Sequence, residues 1–181
     1  MRFILSIGLI GLLALGAASA AETKYTLTGD NTTIEWVGSK PEGKHKGGFK
    51  KLKGTLTVDG EKPESAKVEV EIDTTSLHSD NPGLTQHLKS PDFFNVKKQP
   101  KAKFVSTKVE GDAKEFTLTG KLTLLGKTKE VTMPVKVKSD GDEHTLVGET
   151  TIDRKDFGMT YGRGKIDDKV AIKITIKGKT K

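Results

Sequence analysis

The segment from Ala66 to Asp73 alternates strictly between apolar and charged side chains. Val68, Val70 and Ile72 share one face only if this segment is extended, because a strand places successive side chains on opposite faces. Four other segments show the same period, with the apolar members Leu52/Leu56/Val58, Phe116/Leu118/Leu122/Leu124, Val131/Met133/Val135/Val137 and Val170/Ile172/Ile174/Ile176. Strands with one dry face are typical of antiparallel sandwiches and barrels, and a barrel can enclose an apolar cavity.

The pattern predicts an all-β fold, a single antiparallel eight-stranded barrel with a short helical insertion. Turn signals such as Gly126-Lys127 and Asp140-Gly141 separate the later strands and indicate a meander of hairpins. The longest interruption, residues 79–100, is predicted to form a short helix after Pro82. The predicted strands are residues 32–38, 48–58, 66–74, 101–110, 114–125, 128–138, 143–154 and 169–178.

The first twenty residues predict an export signal. Arg2 gives a basic start, residues 3–15 form an apolar run, and Ala18-Ser19-Ala20 has the small residues that signal peptidase recognises. The run is shorter than the roughly 20 residues that span a bilayer, which disfavours the alternative of an uncleaved anchor. We therefore expect a cleaved signal peptide over residues 1–20 and one domain over residues 21–181.

The chain has no cysteine. Lipid attachment at a lipoprotein-type cysteine is therefore excluded, and the domain must fold on its hydrophobic core without disulfides. Together with the predicted signal peptide, this composition predicts a periplasmic or secreted protein.

The formal net charge of +7 at pH 7 raises the question of an anionic partner. Lys and Asp/Glu interleave on the predicted outward faces, and the strands carry no aromatic RNA-binding signature. We expect a solvated surface and no nucleic-acid binding. A transient contact with an anionic membrane surface is left open by the composition.

The sequence lacks the signatures of an enzyme. No Gly-rich loop opens a helix to hold a nucleotide, and no nucleophile elbow presents a serine. The histidines do not have the spacing of metal ligands: they are His45, His78, His87 and His144. We expect no catalytic residues, no metal and no cofactor.

Aromatic residues on an irregular segment suggest a cavity. Phe93 and Phe94 are adjacent, and the burial of both requires that they cover something. Further bulk comes from Trp36, Phe49, Phe104, Phe116 and Phe157, and small inward positions from Gly54, Gly120 and Gly148. These aromatics could simply fill a barrel, as is expected of Phe116 on a central strand, whereas strand glycines leave room or permit a bend.

Several segments have a recognisable order and spacing. They are Trp36-Val37-Gly38-Ser39-Lys40, Gly43-Lys44-His45-Lys46-Gly47-Gly48-Phe49, His87-Leu88-Lys89-Ser90-Pro91-Asp92-Phe93-Phe94-Asn95-Val96, Leu118-Thr119-Gly120-Lys121-Leu122 and Asp153-Arg154-Lys155-Asp156-Phe157-Gly158-Met159. In this order they resemble the YceI-like family, often called polyisoprenoid-binding proteins. The resemblance covers nearly the whole of residues 21–181. It implies a lipocalin-like barrel whose cavity takes a long isoprenoid chain, such as a quinone tail, in the bacterial periplasm or outside the cell.

A barrel lined by aliphatic and aromatic side chains would bury an isoprenoid tail with little discrimination of shape, so polar groups at its mouth would set specificity. Trp36, Lys40 and His45 lie near one end of the first predicted strand and are candidates for that role. The full set of candidate ligand-binding residues is Trp36, Lys40, His45, Phe49, Phe93, Phe94, Phe104, Met133 and Phe157.

Two functional classes remain open from the sequence. The first is an exported protein that carries, stores or sequesters an amphiphilic isoprenoid lipid, such as a prenylated quinone or polyprenyl chain. The second is a fully packed envelope stress or interaction protein without a small-molecule ligand. Homodimer formation is open in both classes.

Overall fold

The computed structural model describes residues 22–59 and 62–179, so the predicted signal peptide lies outside the described residues. It confirms the all-β class: the described residues form strands β1–β11 and one short helix, α1. Their bounds are β1 Glu22–Thr28, β2 Thr32–Lys40, β3 Gly43–Phe49, β4 Leu52–Asp59, β5 Lys67–Asp73, β6 Leu77–Ser79, α1 Pro82–Lys89, β7 Lys101–Gly111, β8 Glu115–Leu124, β9 Lys127–Asp140, β10 Glu143–Asp153 and β11 Lys169–Lys179. No described helix has the length and hydropathy to cross a membrane.

All the strands belong to one antiparallel sheet with the order β1-β4-β5-β7-β8-β9-β10-β11-β2-β3-β6. Two connections are very short for this order. Residues 50–51 join β3 to β4, and the 3-10 turn Thr74–Ser76 joins β5 to β6, although each pair lies near opposite edges of the sheet. Since a residue spans at most about 3.6 Å, the two edges must come together. The sheet therefore curls into a half-barrel.

The prediction of eight strands is wrong in number. β1 was missed because only Tyr25 and Leu27 supply its inward pattern, and β6 because it has only three residues. The predicted strand 48–58 is interrupted at residues 50–51, where the backbone N–H of Lys50 donates to the Ser76 carbonyl. β3 was missed because its sequence, GKHKGGF, has glycine and lysine in place of an apolar alternation.

The turn between β8 and β9 lies one residue earlier than the predicted Gly126-Lys127. Its two residues are Leu125 and Gly126, with φ of 53° and 73°, and Lys127 already belongs to β9. Positive φ at both positions of a two-residue loop is the geometry that matches the twist of a hairpin.

The inner face of the half-barrel is apolar, but its buried side chains form two separate clusters. The larger includes Leu27, Ile34 and Leu56, and the smaller consists of Val109, Leu118, Met133 and Val135. Val68, Leu146 and Ile174 pack against both clusters yet are only partly buried. An inward aliphatic side chain that is only half-buried must border empty space inside the sheet.

Helix α1 confirms the predicted helical insertion. Pro82 stands in its first turn, and the side chain of Asn81 accepts a hydrogen bond from the backbone N–H of Leu84 at 2.9 Å. Asn is a favoured N-cap residue and Pro fits the first turn, so the sequence fixes where this helix begins. Leu88 is the buried residue of the helix and packs into the larger cluster.

Two strand glycines make room for large side chains of neighbouring strands. A Cβ on Gly120 would lie 2.4 Å from Cζ of Phe104, and a Cβ on Gly148 would lie 2.6 Å from Sδ of Met133. The space at these positions is therefore occupied by Phe104 and Met133, and the empty volume lies beyond them.

Gly120→Ala should destabilise the fold by about 1–3 kcal/mol, because the new methyl group would also lie 2.6 Å from the Val105 carbonyl oxygen and the backbone would have to shift. Gly38→Ala is the matched control, since its Cβ would meet only Trp36 Cζ3 at 4.0 Å and should change stability by less than about 0.5 kcal/mol. Urea unfolding of both variants measures the difference. An equal effect at the two positions would contradict the close packing at Gly120.

Candidate functional site

A cavity of about 430 Å³ lies inside the half-barrel. Its wall is apolar over most of its depth, and all the inward-facing apolar side chains of β11 belong to that wall. Val170, Ile172, Ile174 and Ile176 all line the cavity, and none of them is fully buried. A volume of this size falls within the range of small-molecule sites, and the half-buried aliphatic wall leaves apolar surface for a ligand to cover.

The helical insertion forms a roof over one end of the cavity. Phe93 is 7% exposed, Phe94 is partly buried, and both line the cavity. The two rings point to different neighbours. Phe94 packs edge-on against Phe49 with ring centroids 5.7 Å apart, whereas Phe93 packs against His87 and Tyr161.

The structure brings together eight of the nine candidate residues. Those that line the cavity are Trp36, Lys40, His45, Phe49, Phe93, Phe94, Phe104 and Met133. Phe157 does not line it: its side chain is 1% exposed and belongs to the larger core cluster. Phe116, expected to be core, is half-buried and does line the cavity. The inner face of β8 borders the empty volume directly, which a two-residue period cannot reveal.

The indole N–H of Trp36 is buried and has no hydrogen-bond partner among the described residues. Trp36 is 8% exposed and lines the cavity, and its ring packs over Gly47 of the neighbouring strand. A buried donor without a partner costs roughly 1–3 kcal/mol. The wall of this largely apolar cavity therefore contains an unsatisfied polar group.

At the tip of the β2–β3 hairpin, His45 is fixed by Asp80. Nδ1 of His45 lies 2.9 Å from Oδ1 of Asp80, and Oδ2 of Asp80 accepts the backbone N–H of Lys46 at 3.0 Å. The Lys46 N–H, followed by the His45 ring, holds the pKa of the Asp80 carboxyl below its ordinary value. These contacts fasten the hairpin to the segment that precedes α1.

A second histidine lies at the mouth of the cavity. Nε2 of His87 lies 2.9 Å from Oδ2 of Asp92, and the imidazole packs edge-on against Phe93 and Tyr161. Tyr161 is 48% exposed and also lines the cavity. This cluster joins α1 to the segment that follows β10.

Arg154 organises that segment from inside. It is 4% exposed, and its Nη1 donates to the carbonyl oxygens of Met159 and Tyr161 at 2.8 and 2.7 Å. Its Nε donates to the Asp167 carbonyl at 3.1 Å, and its Nη2 to Oδ1 of Asp168 at 3.1 Å. One guanidinium thus bonds both ends of residues 159–168, which we call the mouth loop. Only the forked donor set of arginine can do this.

Arg154, His87 and Tyr161 are not among the site residues predicted from the sequence. Arg154 and His87 stand in motifs that carry the family resemblance, but arginine and histidine side chains are usually solvated, and Tyr161 stands in a segment without periodicity. The signal for the mouth loop was the density of glycine after residue 157. Gly158, Gly162 and Gly164 all have positive φ, which is typical of a tightly folded loop.

Comparison with known proteins agrees with this geometry. The model of the YceI-like domain matches residues 25–178. A UPF0312 protein of Pectobacterium carotovorum is 34% identical over 190 residues, which cover 98% of this chain and 96% of that protein. The chain belongs to the YceI-like family.

Solved structures show the same fold. BcnA of Burkholderia cenocepacia matches with a TM-score of 0.75 and 27% identity, over 81% of this chain and 96% of that one. A polyisoprenoid-binding domain from Saccharophagus degradans, implicated in plant cell wall breakdown, matches with a TM-score of 0.67 over 90% of this chain and 99% of that one. Its identity is 12%, so this likeness concerns the fold.

Arg154→Ala should lower the free energy of unfolding by about 3 kcal/mol, because several carbonyl oxygens lose a buried charged donor. The amides of the mouth loop should also exchange hydrogen faster than those of β11. Arg154→Lys, which keeps the charge without the fork, should restore only part of both properties. Urea unfolding and hydrogen exchange provide the measurements, and unchanged exchange in the mouth loop would contradict the role assigned to Arg154.

Proposed function

We propose that this protein is an exported carrier that holds an amphiphilic isoprenoid lipid in the apolar cavity, for transport, storage or sequestration. The observation that carries the proposal is the incomplete burial of the inner face. Four aliphatic residues of β11 line the cavity, and none of them reaches full burial. A packed protein would bury these side chains, whereas a binding protein leaves them for its ligand.

The physical chemistry favours a long hydrocarbon tail. Each methylene that leaves water gains about 0.8 kcal/mol, and a branched isoprenoid chain has many such groups. The unpaired N–H of Trp36 favours an amphiphile that also carries an acceptor oxygen, as a prenylated quinone does. Lys40 and His45 line the same cavity near its mouth and provide further polar contacts for a headgroup.

Family membership supports the same proposal, and so does the polyisoprenoid-binding domain that shares this fold. Three polar side chains that line the cavity are held in structural contacts. His45 bonds Asp80, His87 bonds Asp92, and the Arg154 guanidinium bonds the mouth loop. We therefore propose binding without catalysis.

Native mass spectrometry of protein purified from its own cell envelope tests the proposal. We expect a mass that exceeds the polypeptide by that of a lipid with an isoprenoid chain. A clean polypeptide mass under gentle conditions, together with no affinity for added prenylated quinone, would favour the packed envelope protein without a ligand.

A matched pair of variants tests the cavity itself. Phe104→Ala should weaken the binding of a prenylated quinone about tenfold, since the ring lines the cavity and its loss removes apolar contact worth roughly 1–2 kcal/mol. Phe157→Ala should destabilise the protein by about 3–5 kcal/mol but leave the affinity of the folded protein unchanged. Equal effects of the two variants on affinity would contradict the assignment of Phe104 to the site.

Export is the remaining part of the proposal, and it is supported by the apolar run of residues 3–15 and by Ala18-Ser19-Ala20. The mature protein should begin at Ala21 and be recovered from the periplasm or the medium. Intact-mass measurement on protein from the native host decides this, and a mass that includes Met1 would refute the cleavage.

A further inference from the structure

The connections at the two ends of the half-barrel carry opposite charge. The segments around the cavity mouth are residues 40–46, 80–98 and 154–168, and they contain ten Lys and Arg against six Asp and Glu. The described turns at the other end of the strands are residues 29–31, 59, 62–66, 110–115 and 138–144, with three Lys against nine Asp and Glu. The protein is therefore an electric dipole whose positive end contains the mouth.

Many of the cations at the mouth are not engaged in the structure. Eight of them have no ion pair within residues 22–59 and 62–179, and we call them the basic rim: Lys40, Lys44, Lys46, Lys89, Lys97, Lys98, Arg163 and Lys165. All except Lys89 are exposed. Four carboxylates of the same region are already held: Asp80 by His45 and the Lys46 N–H, Asp92 by His87, Asp156 by Lys129, and Asp168 by Arg154 and Lys155. Glu42 and Asp167 are the nearby acids without an ion pair in this part of the chain.

An aromatic side chain stands beside these cations. Tyr161 is the large hydrophobic residue that the described surface leaves exposed, and it lies two residues from Arg163 in the mouth loop. Its ring contacts Phe93 and His87 on its inner side. Tyrosine with basic neighbours is the combination enriched where proteins meet the headgroup layer of a membrane.

We propose that the basic rim docks the open end of the half-barrel onto a bilayer surface that carries anionic lipid headgroups, with Tyr161 at headgroup level. The dipole orients the protein as it approaches, because its acidic end is repelled and its basic end attracted. The proposal rests on the proposed function in one respect: a mouth that faces the bilayer lets an apolar ligand pass without crossing water.

The charge of the rim, and not a deep insertion, supplies most of the attraction. Each Lys or Arg close to an anionic surface strengthens partitioning about fivefold, and salt screens this attraction beyond a Debye length of roughly 10 Å at 0.1 M. Docking should therefore be reversible and should weaken steeply with salt, which suits a carrier that leaves the membrane with its cargo.

Sedimentation with lipid vesicles tests the proposal. The wild-type protein should sediment with vesicles of phosphatidylglycerol and phosphatidylcholine, should remain in solution with phosphatidylcholine alone, and should be released by added salt. The double variant Arg163→Glu/Lys165→Glu should partition about 20-fold more weakly or worse, since two attractive charges are lost and two repulsive ones gained. The control, Lys114→Glu/Lys138→Glu, changes the net charge equally at the acidic end and should partition like the wild type.

Two further readouts keep the outcomes distinct. In vesicle-free buffer, each double variant should bind a prenylated quinone with the same affinity as the wild-type protein. If the wild-type protein does not bind the quinone, the proposed carrier function is refuted, but the proposed docking is not. Equal sedimentation with neutral vesicles, or equal losses in the two double variants, would overturn the docking. Tight binding to a DNA duplex without sedimentation would also overturn it and assign the rim to a nucleic acid.

Discussion

Two short connections determine the shape of this protein. Residues 50–51 and the turn Thr74–Ser76 join strands that lie near opposite edges of the sheet, so the sheet can form only if it curls. The seam is firmly held. The Asp73 N–H donates to the Lys51 carbonyl at 3.0 Å, and Thr74, 1% exposed, donates through its backbone N–H to Pro100 and through its hydroxyl to Gln99. The same turn thus closes the sheet and anchors the far end of the helical insertion that roofs the cavity.

A sheet that must curl encloses a volume, and its inward side chains are too small to fill it. Gly120 and Gly148 already accommodate Phe104 and Met133, yet the aliphatic residues between the two core clusters remain half-buried. Apolar cavities tend to stay dry, so their walls lack contacts on one side. A hydrocarbon ligand would restore those contacts without any change in the fold. The cavity is therefore a consequence of closure combined with modest side-chain volume.

The sequence predicts the parts of this fold that depend on a period of two. β5 and β7–β11 lie close to their predicted positions because their inward faces alternate cleanly, and Pro82 marks the start of α1. β3 could not be predicted, because its stability comes from backbone pairing with β2 and not from apolar side chains. The role of Arg154 could not be predicted for a related reason: apart from the Asp168 carboxylate, its acceptors are backbone carbonyl oxygens 5 to 13 residues away, and a sequence does not reveal backbone acceptors. Phe157 was predicted to contact the ligand, but its side chain is buried in the larger core cluster and does not line the cavity.

Charged residues are arranged differently on the strands and on the connections between them. On the outer face of the sheet, cations pair with carboxylates of neighbouring strands, as Lys101 does with Glu71 and Lys173 with Glu149. Pairs of this kind stabilise the sheet modestly and leave the wall nearly neutral. The exposed side chains of the connections are free of this constraint, because they neither pair across strands nor fill the core. The sheet can therefore hold the cavity through its inner face, while the exposed residues of the mouth and of the opposite turns give the two ends their different charges.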